Sequence, residues 1–146
     1  MNAPDRHDLE SLSEGTEARL EFTIREDDMK RFGELSGDWN PLHCDAAFAR
    51  AAGFEGPVVY GGLLVAQVSR MIGMHLPGRD GVWSQVQLDF RRPLYVGQPA
   101  ELVAVVDHRS EAARSIRLRL EIRAAGQRVA KGSASVALRD PGGADA

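Results

Sequence analysis

A single cysteine, Cys44, occurs among the 146 residues, so no intramolecular disulfide can form and no Cys-rich metal site can assemble. The first fifteen residues, MNAPDRHDLESLSEG, are polar and carry acids, and lack the basic start and apolar run of a signal peptide. No apolar stretch is long. The longest, around Val58 to Val68, is interrupted by Gly and Tyr and is too short to span a bilayer. The formal net charge of -3 argues against an electrostatic grip on nucleic acid or on an anionic membrane, although local Arg clusters can still bind phosphates. What is present is ordinary: 43% hydrophobic and 27% charged residues, enough chain for one domain with a real core. A cytoplasmic protein fits this composition best.

Residues 1–14 read as a flexible leader and residues 140–146 as a flexible tail, with one domain over 15–139. Ala18, Leu20, Phe22 and Ile24 alternate with polar residues, the period of a strand with one buried face. Glu26, Asp27 and Asp28 suit a helix N-terminus, Met29, Phe32 and Leu35 form a helical stripe, and Gly37 sits at a left-handed C-cap. Trp39-Asn40-Pro41 reads as a loop, and Asp45 as the N-cap of AAFARAA. GLLVAQVSRMIGM, from Gly62 to about Met74, is apolar on nearly every side, as expected of a buried helix. Alternating runs at 82–90, 102–106, 116–123 and 130–138 then predict four strands, with Ala125-Gly126-Gln127 as a tight hairpin. Small residues at Ala130, Gly132 and Ala134 suggest a sheet that approaches a helix closely. Strands joined by hairpins and wrapped on one apolar helix make an α+β architecture with an antiparallel sheet.

The stretch that carries chemistry is LSGDWNPLHCDAAFARAAGFEGPVVYGGLLVAQVS, from Leu35 to Ser69. Asp38 and His43 are five residues apart in a Pro-braced loop, so both side chains can turn toward one water and exchange protons with it. Gly61 stands where the apolar helix opens. N–H groups at a helix start carry partial positive charge, and glycine permits close approach, a combination suited to holding a developing oxyanion.

Gly-Asp-Trp-Asn-Pro-Leu-His at 37–43, followed by DAAFA, GFEGPVVYGG and the apolar helix, resembles the MaoC-like, (R)-specific enoyl-CoA hydratase family of hotdog-fold proteins. The resemblance spans about Gly15 to Leu138 and includes Phe90-Arg91-Arg92-Pro93 and Gly97. It implies a hotdog fold, a homodimer with a continuous sheet, and an acyl thioester substrate carried by coenzyme A or by an acyl carrier protein. By position, it implies that Asp38 and His43 are the catalytic pair and that Asn40 braces their loop. It also implies that the Gly61 N–H polarises the thioester carbonyl and that Ser69 lines the site. The implied reaction is syn addition of water to a trans-2-enoyl thioester, giving the (R)-3-hydroxyacyl product, or the reverse dehydration. It requires no metal and no cofactor, coenzyme A being part of the substrate. Two positions depart from the pattern: Tyr60 stands where many relatives have His, and Gly62 where Met is frequent. Both are expected to reshape the acyl pocket. Gln98 replaces a frequent Asp.

Simpler readings stand beside these. Asp38 alone would stabilise a turn, His43 alone would be structural, Gly61 would be a turn residue and Ser69 a small helix residue. Cys44 beside His43 lacks a base-orienting pattern around it and is not read as a nucleophile. His7, His75 and His108 read as structural or solvated, and Arg117, Arg119 and Arg123 as a solvated strand face. Arg91 and Arg92 can reach coenzyme A phosphates or form a plain surface pair. The rival functions are an acyl thioesterase on the same fold and a non-catalytic acyl-CoA binding module.

Overall fold

Alternating apolar residues build β1 (Glu17–Thr23), whose Leu20 and Phe22 are buried while Glu17, Arg19 and Glu21 face outward. In this computed structural model, which describes residues 1–140, the chain then forms α1 (Glu26–Ser36), α2 (Pro41–Cys44), α3 (Ala46–Ala51) and α4 (Gly61–Met74). Four strands follow: β2 (Gly81–Phe90), β3 (Pro99–Ser110), β4 (Ser115–Ala124) and β5 (Gln127–Leu138). The five strands make one antiparallel sheet in the order β1-β3-β4-β5-β2. Leu102, Ala104 and Val106 of β3, and Ile116, Leu118, Leu120 and Ile122 of β4, share its buried face. Leu64, Val68, Met71 and Ile72 of α4 pack into that same core. Burial of each such side chain contributes about 1.5–3 kcal/mol.

Local chemistry sets the element ends. Gly37 caps α1 with φ of 77°, in the left-handed region that glycine adopts without a Cβ penalty. The Asp28 carboxylate accepts from the Arg25 N–H at the start of α1, at 2.9 Å. Ala125 and Gly126 have φ of 50° and 73°, so β4 and β5 meet in a two-residue turn with both central residues left-handed, matching strand twist. In the Gly97-Gln98 turn, the Gln98 side-chain oxygen accepts from the Tyr95 N–H at 3.2 Å, a bracing role.

Four expectations are corrected. The segment expected as a loose leader is docked: Leu9 and Leu12 are buried in the core, and the Asp5 N–H donates to the Met74 carbonyl at 2.8 Å. Arg6 pairs at 3.3 Å with Asp80, which is buried, and Arg109 donates to the Leu9 and Glu10 carbonyls. His7 is held there too, its Nε2 lying 3.1 Å from the His75 carbonyl. The helical stripe of α1 is narrower than its spacing implies, because Met29 and Gly33 are buried while Leu35 is 85% exposed. Gly132 serves strand pairing rather than a helix contact: a Cβ there would lie 1.8 Å from the Gln87 carbonyl oxygen of β2. Finally, α4 is not enclosed on all sides, since Gly62, Ala66, Ser69 and Gly73 form an exposed stripe on the single chain. The tail expected over 140–146 lies outside the described residues apart from Asp140.

Candidate active site

The loop after α1 folds on its own side chains. Asn40 caps α2, its Oδ1 accepting from the Leu42 N–H at 2.9 Å, with Pro41 at the first helical position. The Asp38 Oδ1 accepts from the Asn40 N–H at 3.0 Å, and the Cys44 thiol donates to the Asn40 carbonyl at 3.0 Å. Asp45 caps α3 through the Phe48 N–H at 3.1 Å. A four-residue helix with a Pro start therefore stands where the sequence suggested only a loop. It turns His43 inward, where its ring is part-buried.

His43 is fixed from two directions. Its Nδ1 lies 2.6 Å from the Val58 carbonyl oxygen. A carbonyl can only accept, so Nδ1 carries the proton and Nε2 is the unprotonated nitrogen of the neutral ring. The imidazole also stacks on Tyr60, with ring centroids 4.2 Å apart and planes at 27°. Tyr60 in turn touches Phe32 of α1, at 4.7 Å between centroids. The Tyr60 hydroxyl donates to the Asp38 backbone carbonyl at 2.6 Å. Burial, then the negative forms of Cys44 and Asp38 nearby, pushes the Tyr60 phenol above the ordinary tyrosine value. It remains a hydrogen-bond donor across any neutral working range.

Two cavities meet at His43. The larger, about 610 Å³, is lined by Met29, Trp39, Cys44, Pro57, Tyr60 and Tyr95 among others. The smaller, about 350 Å³, brings His43 together with Gly61, Phe90, Arg91 and Arg92. A Cβ at Gly61 would meet the Phe90 ring at 3.0 Å, so glycine is what fits against that ring without a shift. Arg91 lies 3.6 Å from Asp89.

The structure joins Asp38, His43, Tyr60 and Gly61 through the Tyr60 ring and the start of α4. Asp38 is exposed on the single chain and lines neither cavity. Asn40 acts on its own loop as a cap. Ser69 lies two turns along α4, on the exposed stripe with Gly62, and lines neither cavity. Space that a side chain at position 62 would take is filled by Phe32, whose Cζ would lie 2.3 Å from such a Cβ. Sequence reasoning missed Val58, Phe32 and Phe90. Val58 acts through a backbone carbonyl, and the two aromatics, read in the α1 stripe and in the Phe90-Arg91-Arg92-Pro93 run, approach from distant elements, so no local pattern shows that they meet there.

An antiparallel sheet wrapped on a central helix is the hotdog class of folds. The (R)-hydratase from A. caviae involved in PHA biosynthesis superposes with a TM-score of 0.85 at 34% identity, covering 88% of this chain and 98% of that one. In sequence, the (R)-specific enoyl-CoA hydratase of Aeromonas caviae is 39% identical over 98 residues, 67% of this chain and 72% of the relative. The (R)-specific enoyl-CoA hydratase of Rhodospirillum rubrum is 30% identical over 138 residues, 93% of this chain and 96% of the relative. Residues 9–125 match the family described as MaoC like domain. The chain belongs to the MaoC-like domain family, and is an enzyme of the hydro-lyase class.

Proposed function

We propose that this protein adds water to a trans-2-enoyl thioester to form the (R)-3-hydroxyacyl thioester, or runs the reverse dehydration, with Asp38 and His43 as its acid/base pair. The observation that carries this reading is the Nδ1 contact of His43 with the Val58 carbonyl, which leaves Nε2 as the unprotonated nitrogen of a ring that lines both cavities. A water held by Nε2 and the Asp38 carboxylate loses a proton as its oxygen adds to Cβ. The pair delivers a proton to Cα on the same face, so the elements of one water are added and nothing else is consumed. The Gly61 N–H, in the smaller cavity with His43, holds the thioester oxygen as charge develops on it. Such a donor contributes about 3–4 kcal/mol of transition-state stabilisation. Beyond the carrier of its own substrate, coenzyme A or acyl carrier protein, the reaction calls for no cofactor.

The functional unit is a homodimer. Two features support this: β2 pairs only with β5 among the described strands, and its exposed Val82, Val86 and Phe90 stand at that open edge.

The test is loss of the conjugated enoyl absorbance with crotonyl-CoA, comparing wild type with Asp38→Asn and analysing product chirality. The expected outcome is an (R) alcohol from wild type and a loss of at least a hundredfold in kcat for the variant, with circular dichroism unchanged. Near wild-type turnover by Asp38→Asn would refute the acid/base assignment. Release of free thiol in place of hydration would point to the thioesterase reading.

A further inference from the structure

Tyr60 carries three contacts that converge on the proposed chemistry. Its hydroxyl bonds the Asp38 carbonyl, its ring stacks beneath His43, and its backbone is the N-cap of α4, immediately before Gly61. The side chain is itself immobilised, 2% exposed and set against Phe32. The other hydrogen bonds of Asp38 among the described residues are local in sequence, one donated to Ser36 Oγ at the end of α1 and one accepted from the Asn40 N–H. The Tyr60 hydroxyl thus ties the Asp38 backbone to the start of α4, twenty-two residues away.

We propose that Tyr60, besides lining the larger cavity, is the positioning residue that sets Asp38, His43 and Gly61 at their working separations. This rests on the hydration reading above. A carboxylate on an exposed loop loses effective concentration at the reacting water when its backbone drifts by an ångström, and the loss falls on turnover, not on substrate affinity. The phenol suits the task because it reaches across from the helix start while its ring supports the imidazole. A residue that merely filled space would serve as well without its oxygen.

The experiment compares wild type, Tyr60→Phe and Tyr60→His in crotonyl-CoA hydration. Tyr60→Phe keeps the ring and removes the bond to Asp38. It is expected to lower kcat about tenfold, the effect of one lost hydrogen bond to a buried donor, with KM within about twofold. Tyr60→His, whose ring nitrogen ends well short of the phenol oxygen, is expected to leave most of that loss unrecovered. A Tyr60→Phe enzyme with kcat within about twofold of wild type, or a change confined to KM, overturns the proposal. A second readout does not depend on turnover. Amide hydrogen exchange at Asn40, Leu42 and His43 is expected to quicken about tenfold in Tyr60→Phe while the core strands keep their protection. If wild type does not turn over crotonyl-CoA, the exchange readout decides alone: unchanged exchange in the loop defeats the Tyr60 assignment.

Discussion

Phe32 and Gly62 explain each other. The ring of Phe32, on α1, occupies the space into which a side chain at 62 would project, so the two positions carry one large side chain between them. Gly62→Met alone is expected to destabilise the fold by about 1–3 kcal/mol through overpacking. In Phe32→Ala the added methionine should relieve part of the cavity, giving a favourable coupling of about 1 kcal/mol or more in a double-mutant cycle followed by urea denaturation. Additive effects would show that the two residues do not share this space. At this scale the residue types of the candidate site were legible, since Asp38, Asn40 and His43 lie within six residues in a motif whose Pro and Asn carry local geometry. Which nitrogen of His43 is free was not legible. It depends on the Val58 carbonyl, fifteen residues away, and a backbone group leaves no signature in sequence.

Among the elements, the N-terminal segment departs most from its sequence reading. Its composition is polar, yet Leu9 and Leu12 flank a short 3-10 turn, Leu9–Ser11, and both enter the core. Two leucines separated by polar residues make too short a pattern for a periodicity argument, so only the completed sheet and α4 reveal their partners. Leu12, fully buried, is expected to cost about 2–5 kcal/mol when changed to Ala, read as a lower denaturation midpoint with unchanged slope. A change under about 0.5 kcal/mol would mean that the segment is undocked in solution. The strands were legible in contrast: each carries four or more alternating residues, and the turn at Ala125-Gly126 has left-handed backbone angles at both positions. The helix α2 is an intermediate case, its Asn cap and Pro start being correct helix signals in a segment too short for a hydrophobic stripe.

For the whole molecule, the two sheet edges differ. The β1 edge carries Glu17, Arg19 and Glu21, with Arg19 bonded to Glu17 at 2.6 Å and to Glu101 at 2.9 Å, a charged border that discourages strand addition. The β2 edge instead exposes Val82, Val86 and Phe90 beside the small-residue stripe of α4. Antiparallel pairing of β2 with its copy would continue the sheet through a dimer. Light scattering on the eluted protein is expected to give twice the chain mass for wild type and the single-chain mass for Val86→Arg, with turnover falling alongside. A wild type that remains single at tens of micromolar would rule out the shared sheet.

The sequence by itself determined the architecture and the chemical alphabet: strand periods, an apolar helix, and an Asp/His pair ahead of a glycine at that helix's start. These are encoded by neighbours within a few residues, where pattern and local hydrogen bonding decide the outcome. Only the tertiary structure decided that Tyr60 stacks under His43 and holds Asp38, that Phe32 fills the place of a side chain at 62, and that Leu9 and Leu12 of the N-terminal segment pack into the core. Each of those depends on groups far apart in the chain meeting at van der Waals or hydrogen-bond distance, and that meeting is a property of the packed fold, not of any local stretch.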